Sequence, residues 1–308
     1  MKKKISTFER QRTITGTIFL IPVFIFVAAF IIWPLIEVIQ LSFTDWNGVA
    51  KTWNNIGFEN YAHLTEIQGF WDMCKATVIF AIVVTILTIV VAFLVALVLD
   101  KKGPWRINRG LMRGLWFFPC LLSGTVVGIL WRIMYNYNNG VLNTIIKSIT
   151  GAKKGVNWLE SPDFTIFCVI VACVWASTGM CIIIFLAGLQ SIDESLYEAA
   201  SIDGATKWQQ ITKITLPLLR PTMIMLTMLA VGRIFYSDFG LFYQVPQNSG
   251  ALLSVTNTID TYVYRGLLEL GNITMSAAAG VYQSIVGFVL ILSANMLVRR
   301  IDPESAMF

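Results

Sequence analysis

Four polar residues within an otherwise apolar segment are the first candidates for chemistry in this sequence. Arg233, Tyr236, Ser237 and Asp238 lie in an apolar segment of about residues 222–245, which is long enough to cross a bilayer. Charged side chains at that depth usually face a cavity or a partner, because exposing them to lipid costs at least a few kcal/mol. On a straight helix Tyr236 and Ser237 share the face of Arg233, whereas Asp238 lies about 140° away.

Two interpretations of this group are open. Arginine, aspartate, serine and tyrosine together supply hydrogen-bonding groups and an aromatic ring, which suit a hydroxyl-rich solute, so the group could line a path through the membrane. An anionic solute would also suit Arg233. Alternatively, Arg233 and Asp238 each brace a neighbouring helix.

A second candidate group stands at the end of another apolar segment, of about residues 115–135. Trp131, Arg132 and Tyr135 have the side chains of a solute path as well. At the outer end of a membrane span, however, the same residue types are ordinary interfacial anchors, which is the alternative interpretation.

The sequence offers little for catalysis. His63 is its one histidine, and the five cysteines lie in or beside apolar segments without CxxC spacing, so neither a metal site nor a disulfide framework is expected. An intramembrane enzyme would need convergent acid, base and nucleophilic groups, and the spans hold no paired carboxylates. No GxxxxGK[ST] loop is present, so any ATP must be hydrolysed by another chain. We therefore expect neither an enzyme nor a bound cofactor.

Composition predicts the elements that position these residues. Of 308 residues, 56% are hydrophobic and 13% are charged, with a mean hydropathy of +0.68. These values are typical of a polytopic membrane protein. The prediction is an all-α fold with six membrane-spanning helices, at about residues 14–38, 76–99, 115–135, 164–189, 222–245 and 273–298.

The distribution of basic residues predicts the orientation. The segments on the side of both termini carry fifteen Lys and Arg, whereas those on the opposite side carry five. By the positive-inside rule, both termini and the polar stretch 191–221 are cytoplasmic.

That polar stretch is predicted to form two short helices around a turn. Ser191 with Glu194 is a capping-box pattern, and Thr206 with Gln209 is a second one. Gly204 can adopt a positive φ in the turn between them, and Pro217 and Pro221 close the element. It is too polar to span a bilayer.

The same stretch resembles the EAA motif of permease subunits of binding-protein-dependent ABC importers. The residues that carry the resemblance are Glu198, Ala199, Ala200, Asp203, Gly204, Ala205, Ile214, Leu216 and Pro217. The family usually has an aromatic residue where Ile211 stands, and Trp208 lies one helical turn earlier. In that family the motif is a cytoplasmic coupling helix that docks into a groove of a separate ATPase. The alternative is an ordinary amphipathic loop helix.

The resemblance extends over essentially the whole chain and implies the sugar branch of the family, of the maltose and glycerol-phosphate type. Several stretches are similar to permeases for complex oligosaccharides of the aldouronate type, among them residues 259–265 and 300–304. In maltose-type members the span after the EAA loop contacts sugar, which implies the same for Arg233, Tyr236, Ser237 and Asp238. An importer for another solute, such as a glycerol phosphate, a polyamine or a metal chelate, is the alternative within transport. A passive channel has no need of a docking element.

The implied partners are a second homologous permease in a heterodimer, two ABC ATPase subunits that bind ATP and Mg, an extracellular solute-binding protein and membrane lipid, without nucleic acid. The predicted location is the bacterial cell membrane. The predicted organisation is a basic cytoplasmic head (1–13), a first span with an external loop (14–72), a permease core (73–299) that includes the coupling loop (191–221), and a cytoplasmic tail (300–308).

Overall fold

The computed structural model describes residues 7–100, 109–236, 239–247, 249–303 and 306, and these residues form helices and loops without a β-strand. Ser237 and Asp238 lie outside the described residues. The α-helices are α1 (Thr7–Val27), α2 (Trp33–Leu41), α3 (Glu59–Glu66), α4 (Phe70–Leu99), α5 (Arg109–Phe117), α6 (Gly124–Met134), α7 (Val141–Thr150), α8 (Pro162–Ser191), α9 (Glu194–Ile202), α10 (Lys207–Gln210), α11 (Leu216–Leu218), α12 (Arg220–Val231), α13 (Phe239–Gln244), α14 (Leu253–Thr256), α15 (Ile259–Leu268) and α16 (Ile273–Ile301). Short π-helical turns (Ala28–Ile32 and Ile211–Thr215) and 3-10 turns (Phe118–Leu121 and Gly250–Leu252) connect some of them.

Four continuous helices are long and apolar enough to cross a membrane. Among the described residues these are Thr15–Leu41, Phe70–Leu99, Phe164–Ser191 and Ile273–Arg300. Two further pairs qualify only together, because Arg109–Leu121 meets Gly124–Met134 at 107° and Lys207–Leu218 meets Arg220–Val231 at 58°. The helical membrane fold is therefore confirmed, and the span count is four, or up to six if each bent pair is one span.

The third predicted span, residues 115–135, is not one straight helix. A 3-10 turn at Phe118–Leu121 contains the buried Pro119, and a new helix then begins after Ser123. The Ser123 hydroxyl accepts a hydrogen bond from the Val126 amide (3.3 Å), which is an ordinary N-cap. Proline lacks an amide hydrogen and its ring disturbs the preceding turn, which accounts for the break.

Contacts divide the chain into two compact units. The first comprises residues 1–67 and 265–282, and the second comprises residues 68–264 and 283–308. In the first unit the span Thr15–Leu41 has exposed apolar side chains, as expected for a helix solvated by lipid. After this span a loop runs to α3, and the buried Asn60 fixes it by donating hydrogen bonds to the carbonyls of Ser42 and Thr44, both at 2.9 Å.

The second unit is built on the long pair α4 and α8. Ala92 and Ala96 of α4 are fully buried and pack with Ile182 and Phe185 of α8, because small residues allow two helices to approach closely. A second apolar cluster surrounds Phe80 and contains Val127, Tyr135, Cys168, Val169, Ala172, Cys173, Leu241, Phe242 and Val245. A cavity beside α4 adjoins the second cluster, since Phe80, Cys173 and Phe242 line it.

Candidate functional site

The predicted fifth span is broken at the candidate arginine. Residues 222–245 were expected to form one helix, but α12 ends at Val231 and α13 begins at Phe239. Between them the amides of Arg233, Ile234 and Tyr236 bond to carbonyls only three residues earlier (2.8–3.1 Å), so the backbone forms successive tight turns. The prediction of a straight helix was wrong here. The facing geometry derived from it for Arg233, Tyr236 and Ser237 does not apply.

A buried glutamine on α16 holds this turn in place. The Nε2 atom of Gln283 donates to the carbonyl of Phe235 (2.7 Å) and to Oδ1 of Asp260 (2.8 Å), and Gln283 is 3% exposed. The neighbouring Ser284 hydroxyl lies 3.3 Å from the Tyr236 hydroxyl. A non-helical stretch within a membrane must have its free carbonyls satisfied, and Gln283 satisfies the one at Phe235.

The turn opens onto a cavity of about 500 Å³ in the second unit. Its described lining residues are Thr77, Phe80, Ala81, Val84, Thr85, Cys173, Ser177, Ala230, Arg233, Tyr236, Gly240 and Phe242. Aromatic faces, hydroxyl groups and a guanidinium group therefore converge on one concave surface. This combination suits a ligand with many hydroxyl groups.

Arg233 is the one charged residue among the described residues that line the cavity. Within the same part of the chain, its guanidinium group has neither an ion-pair partner nor a hydrogen-bond partner. A cationic group without a counter-ion leaves the cavity electropositive, and the fork of guanidinium donors matches a carboxylate in two parallel hydrogen bonds. The described surface therefore favours an anionic group on the ligand.

The structure brings together only part of what the sequence nominated. Arg233 and Tyr236 face the cavity, while Ser237 and Asp238 lie outside the described residues. Trp131, Arg132 and Tyr135 do not line it.

Tyr135 is instead 4% exposed, donates its hydroxyl to the carbonyl of Cys168 (3.2 Å) and stacks on Trp131 with ring centroids 5.3 Å apart. These two rings belong to the apolar packing around Phe80, and Arg132 is exposed. A role for this trio in the pathway stays a prediction without geometric support.

Several lining residues escaped sequence reasoning. Thr77, Phe80, Ala81, Val84 and Thr85 recur at intervals of three, four, seven and eight residues, so they share one face of α4. The threonine hydroxyls on that face were the available signal. Threonine often bonds to its own helix, as the Thr77 hydroxyl does to the carbonyl of Met73 (2.8 Å), so the signal was weak.

The EAA-like stretch folds as two short helices around a glycine turn. After α9 the amide of Ala205 donates to the carbonyl of Ala200 (2.8 Å), and the amide of Gly204 donates to the carbonyl of Ser201 (3.2 Å). This pair of bonds is a Schellman motif, which needs a left-handed residue, and Gly204 has φ +78°. The expected positive φ at Gly204 is confirmed.

The expected caps are only partly correct. Thr206 and Gln209 form the predicted capping box in α10. Ser191, however, is the last residue of α8, and its hydroxyl donates to the carbonyl of Gly188 (2.7 Å). Asp193 caps α9 instead, accepting from the amide of Ser195 at 3.0 Å. An aspartate two residues after the end of α8 is better placed for this role, because the cap must directly precede the helix.

The prolines were also expected to close the element, and the chain bends by 58° between them, where Lys207–Leu218 ends and Arg220–Val231 begins. Pro217 stands in the first turn of α11 and Pro221 in that of α12. Proline is well tolerated in a first helical turn because that amide has no intrahelical acceptor.

Side chains join the two short helices into one rigid piece. The Tyr197 hydroxyl lies 2.9 Å from the Thr215 hydroxyl, and Nε2 of Gln210 donates to the Ser201 hydroxyl at 2.9 Å. Two large apolar side chains project from the surface of this piece, because Ile202 is 86% exposed and Trp208 is 72% exposed. Of the other EAA-like residues, Glu198, Ala199, Asp203, Gly204, Leu216 and Pro217 are exposed, and Ala200 and Ala205 are half-buried.

Comparison with known proteins identifies the family. The family described as binding-protein-dependent transport system inner membrane component matches residues 109–303, more than half of the chain. This chain belongs to that family. It is a multi-pass membrane permease of the ABC importer type, a transport component rather than an enzyme, as the sequence predicted.

The chain is similar to the lactose transport system permease protein LacF of Rhizobium radiobacter, with 28% identity over 294 residues that cover 95% of this chain and 94% of LacF. Its structure is similar to a chain of a bacterial ABC transporter involved in the import of the acidic polysaccharide alginate. The TM-score is 0.84, with 27% identity, over 95% of this chain and 97% of that chain. A second structure, of the bacterial alginate ABC transporter with an alginate pentasaccharide-bound periplasmic protein, gives a TM-score of 0.83 at 27% identity, over 94% and 96% of the two chains.

Proposed function

We propose that this chain forms one half of the translocation pathway of an ATP-driven importer of oligosaccharides. The observation that carries the proposal is the cavity around Arg233, in a chain whose relatives include a lactose permease and an alginate importer. Its volume of about 500 Å³ lies within the usual range of small-ligand sites. A second, homologous permease would supply the other half.

We further propose that the solute carries at least one carboxylate. Arg233 has no partner among the described residues and lines the cavity with hydroxyl and aromatic side chains, so it can bind a uronate while Thr85, Ser177 and Tyr236 contact neighbouring hydroxyls. The alginate importer that this chain resembles handles an acidic polysaccharide, which supports this solute class. A polyamine would be repelled by the same guanidinium group, because like charges in a cavity of low polarity oppose each other.

The EAA-like piece is the proposed coupling element. It presents Ile202 and Trp208 to the outside while its internal hydrogen bonds keep it rigid, which suits an element that docks into a groove of another protein. ATP with Mg would bind on that partner, and the charge distribution supports a cytoplasmic location for the piece and for both termini. An extracellular solute-binding protein would deliver the sugar.

The experiment is uptake by vesicles that contain the complete transporter, purified with its native partners. Uptake of labelled tetragalacturonate is compared with that of maltotetraose for the wild type, Arg233→Gln and Arg299→Gln. A hydrogen bond to a charged group contributes about 1.5–3 kcal/mol, so its loss in Arg233→Gln predicts roughly a 10- to 100-fold lower uptake of the acidic sugar. Uptake of the neutral sugar should change little, and Arg299→Gln, the same change on an exposed side chain outside the cavity, should leave the uptake of both sugars unchanged.

The importer proposal would be refuted if the complex purified without an ATPase, or if the wild type imported neither sugar. Equal effects of Arg233→Gln on both sugars would refute the carboxylate contact but not the importer.

A further inference from the structure

A second pocket lies in the first unit, where the first membrane span ends. It has a volume of about 280 Å³ and is lined by Glu37, Gln40, Leu41, Thr44, Trp46 and Trp53. Glu37 and Gln40 are the polar residues in the last turns of an otherwise apolar span. An ionisable residue within a span marks a functional site by default, because the lipid would otherwise exclude it.

The two tryptophans of this pocket form an angled aromatic surface. The ring centroids of Trp46 and Trp53 are 6.0 Å apart and their planes are inclined by 60°. Trp46 donates its indole hydrogen to the carbonyl of Ala50 (2.9 Å), which fixes that ring. Trp53 is 54% exposed. Neither its indole nitrogen nor the Gln40 amide group has a hydrogen-bond partner within the described part of the chain.

The loop that carries the tryptophans is held in shape by its own hydrogen bonds. Asp45 accepts from the amide (2.7 Å) and the side chain (3.1 Å) of Asn54, and the Asn47 side chain accepts from the amides of Val49 and Ala50. The bonds from Asn54 hold the pKa of the Asp45 carboxyl below its usual value. The aromatic pair therefore stands on a preformed hairpin, and a ligand would meet it without ordering the loop.

We propose that this pocket is a second carbohydrate site, which holds one uncharged sugar ring at the outer surface of the membrane. The ring would lie against Trp53, while the amide group of Gln40 and the Oε2 atom of Glu37 bond to its hydroxyls. Glu37 already accepts from the Trp33 indole nitrogen at 2.7 Å with Oε1, so its carboxylate is oriented. Because Glu37 repels a second carboxylate, the site takes a neutral ring.

The sugar class rests on the proposed function, whereas the location rests on the pocket. Interfacial anchoring is the competing explanation for the tryptophans, since indole rings favour the boundary between lipid and water. Anchoring by the indole rings does not involve the amide group of Gln40. The two explanations thus differ in what a change at Gln40 does.

The test is photo-crosslinking of the complete transporter in lipid nanodiscs with maltotetraose that bears a diazirine, followed by mass spectrometry of the labelled peptides. We expect label on residues 33–53. Gln40→Ala should reduce that label about three- to tenfold, the range of one net hydrogen bond. Trp53→Ala should abolish it and Trp53→Phe should retain much of it. Trp71→Ala, which removes a tryptophan of similar exposure (53%), should have no effect.

Label elsewhere in the chain with none on residues 33–53 would refute this site but not the proposed importer function. Label on residues 33–53 that is insensitive to Gln40→Ala and lost in both Trp53 variants would assign the tryptophans to membrane anchoring. Tetragalacturonate with the same diazirine should label the segment at least fivefold less, and equal labelling would refute the neutral ring. A transporter that imports no sugar and takes up no label anywhere would remove both proposals.

Discussion

Gln283→Leu tests how the broken span is held, because Gln283 joins α16 to the turn that presents Arg233. Leucine has a similar volume but cannot donate, so the carbonyl of Phe235 and Oδ1 of Asp260 would each lose a bond, of 2.7 and 2.8 Å. Gln283 is 3% exposed, so water cannot readily replace the lost donor.

The expected loss of stability follows from the two acceptors. A buried carbonyl left without a donor costs about 1–3 kcal/mol, and a hydrogen bond to a charged group contributes about 1.5–3 kcal/mol. Since these terms are not strictly additive, we expect the free energy of unfolding to fall by roughly 2–4 kcal/mol. Much of the effect should appear locally as displacement of Arg233 and Tyr236.

The assay combines thermal unfolding of the purified complex with uptake kinetics for an acidic oligosaccharide. Gln283→Leu should lower the melting temperature and raise KM by more than tenfold, whereas Gln68→Leu, the same change on an exposed side chain, should stay within about 0.5 kcal/mol. Unchanged stability and KM in Gln283→Leu would refute the brace. A lower melting temperature with a normal KM would show that Gln283 stabilises the helices without positioning the cavity.

Three further changes test other parts of the fold. Gly204→Ala should lower stability by about 1–2 kcal/mol and reduce ATP-coupled uptake, because φ is +78° and only the backbone conformation opposes a Cβ, which would meet no atom within 4 Å. Gly204→Asn should recover most of the loss, since asparagine tolerates the left-handed conformation. Equal uptake for the Ala variant and the wild type would contradict the turn. Asn143→Leu should lower stability by at least about 3 kcal/mol in thermal melts, because the two amide hydrogens of the buried side chain are shared among three carbonyls and its Oδ1 accepts two hydrogen bonds. The exposed Asn139→Leu should be neutral. Gly240→Ala should prevent accumulation of folded protein in the membrane, because its Cβ would lie 2.8–3.0 Å from the backbone of Gly124 and Thr125; normal expression would disprove that close contact.

Local signals predicted the helices and the turn of the EAA-like stretch well and its caps less well. The Asp203-Gly204 turn and the Thr206 capping box depend on residues close in sequence, so a short pattern contained the answer. The Ser191 cap failed because α8 continues through Ser191, and helix ends are set by tertiary packing as well as by capping patterns.

The sequence identified Arg233 as a cavity residue for a correct reason but placed it on a straight helix, which was wrong. An arginine in an apolar segment predicts a cavity or a partner whatever the local structure, so that inference survived the loss of the helix. The broken stretch at residues 232–236 is bonded to Gln283, which lies about fifty residues further along the chain, and no local pattern predicts such a contact. The same holds for Thr85 and Ser177, whose side chains line one cavity only because α4 and α8 pack together.

The sequence by itself determined the membrane class, the apolar segments, the EAA-like motif and the charge asymmetry, because hydropathy, short motifs and basic residues are properties of local composition. Only the tertiary structure decided that the segment 115–135 is bent and that the segment 222–245 is broken after Val231. It also decided that Arg233 is the one charged residue among the described residues of its cavity, and that Trp46 and Trp53 line a pocket with Glu37. These features depend on contacts between residues far apart in the chain. The free energies of such contacts cannot be read from any local sequence pattern.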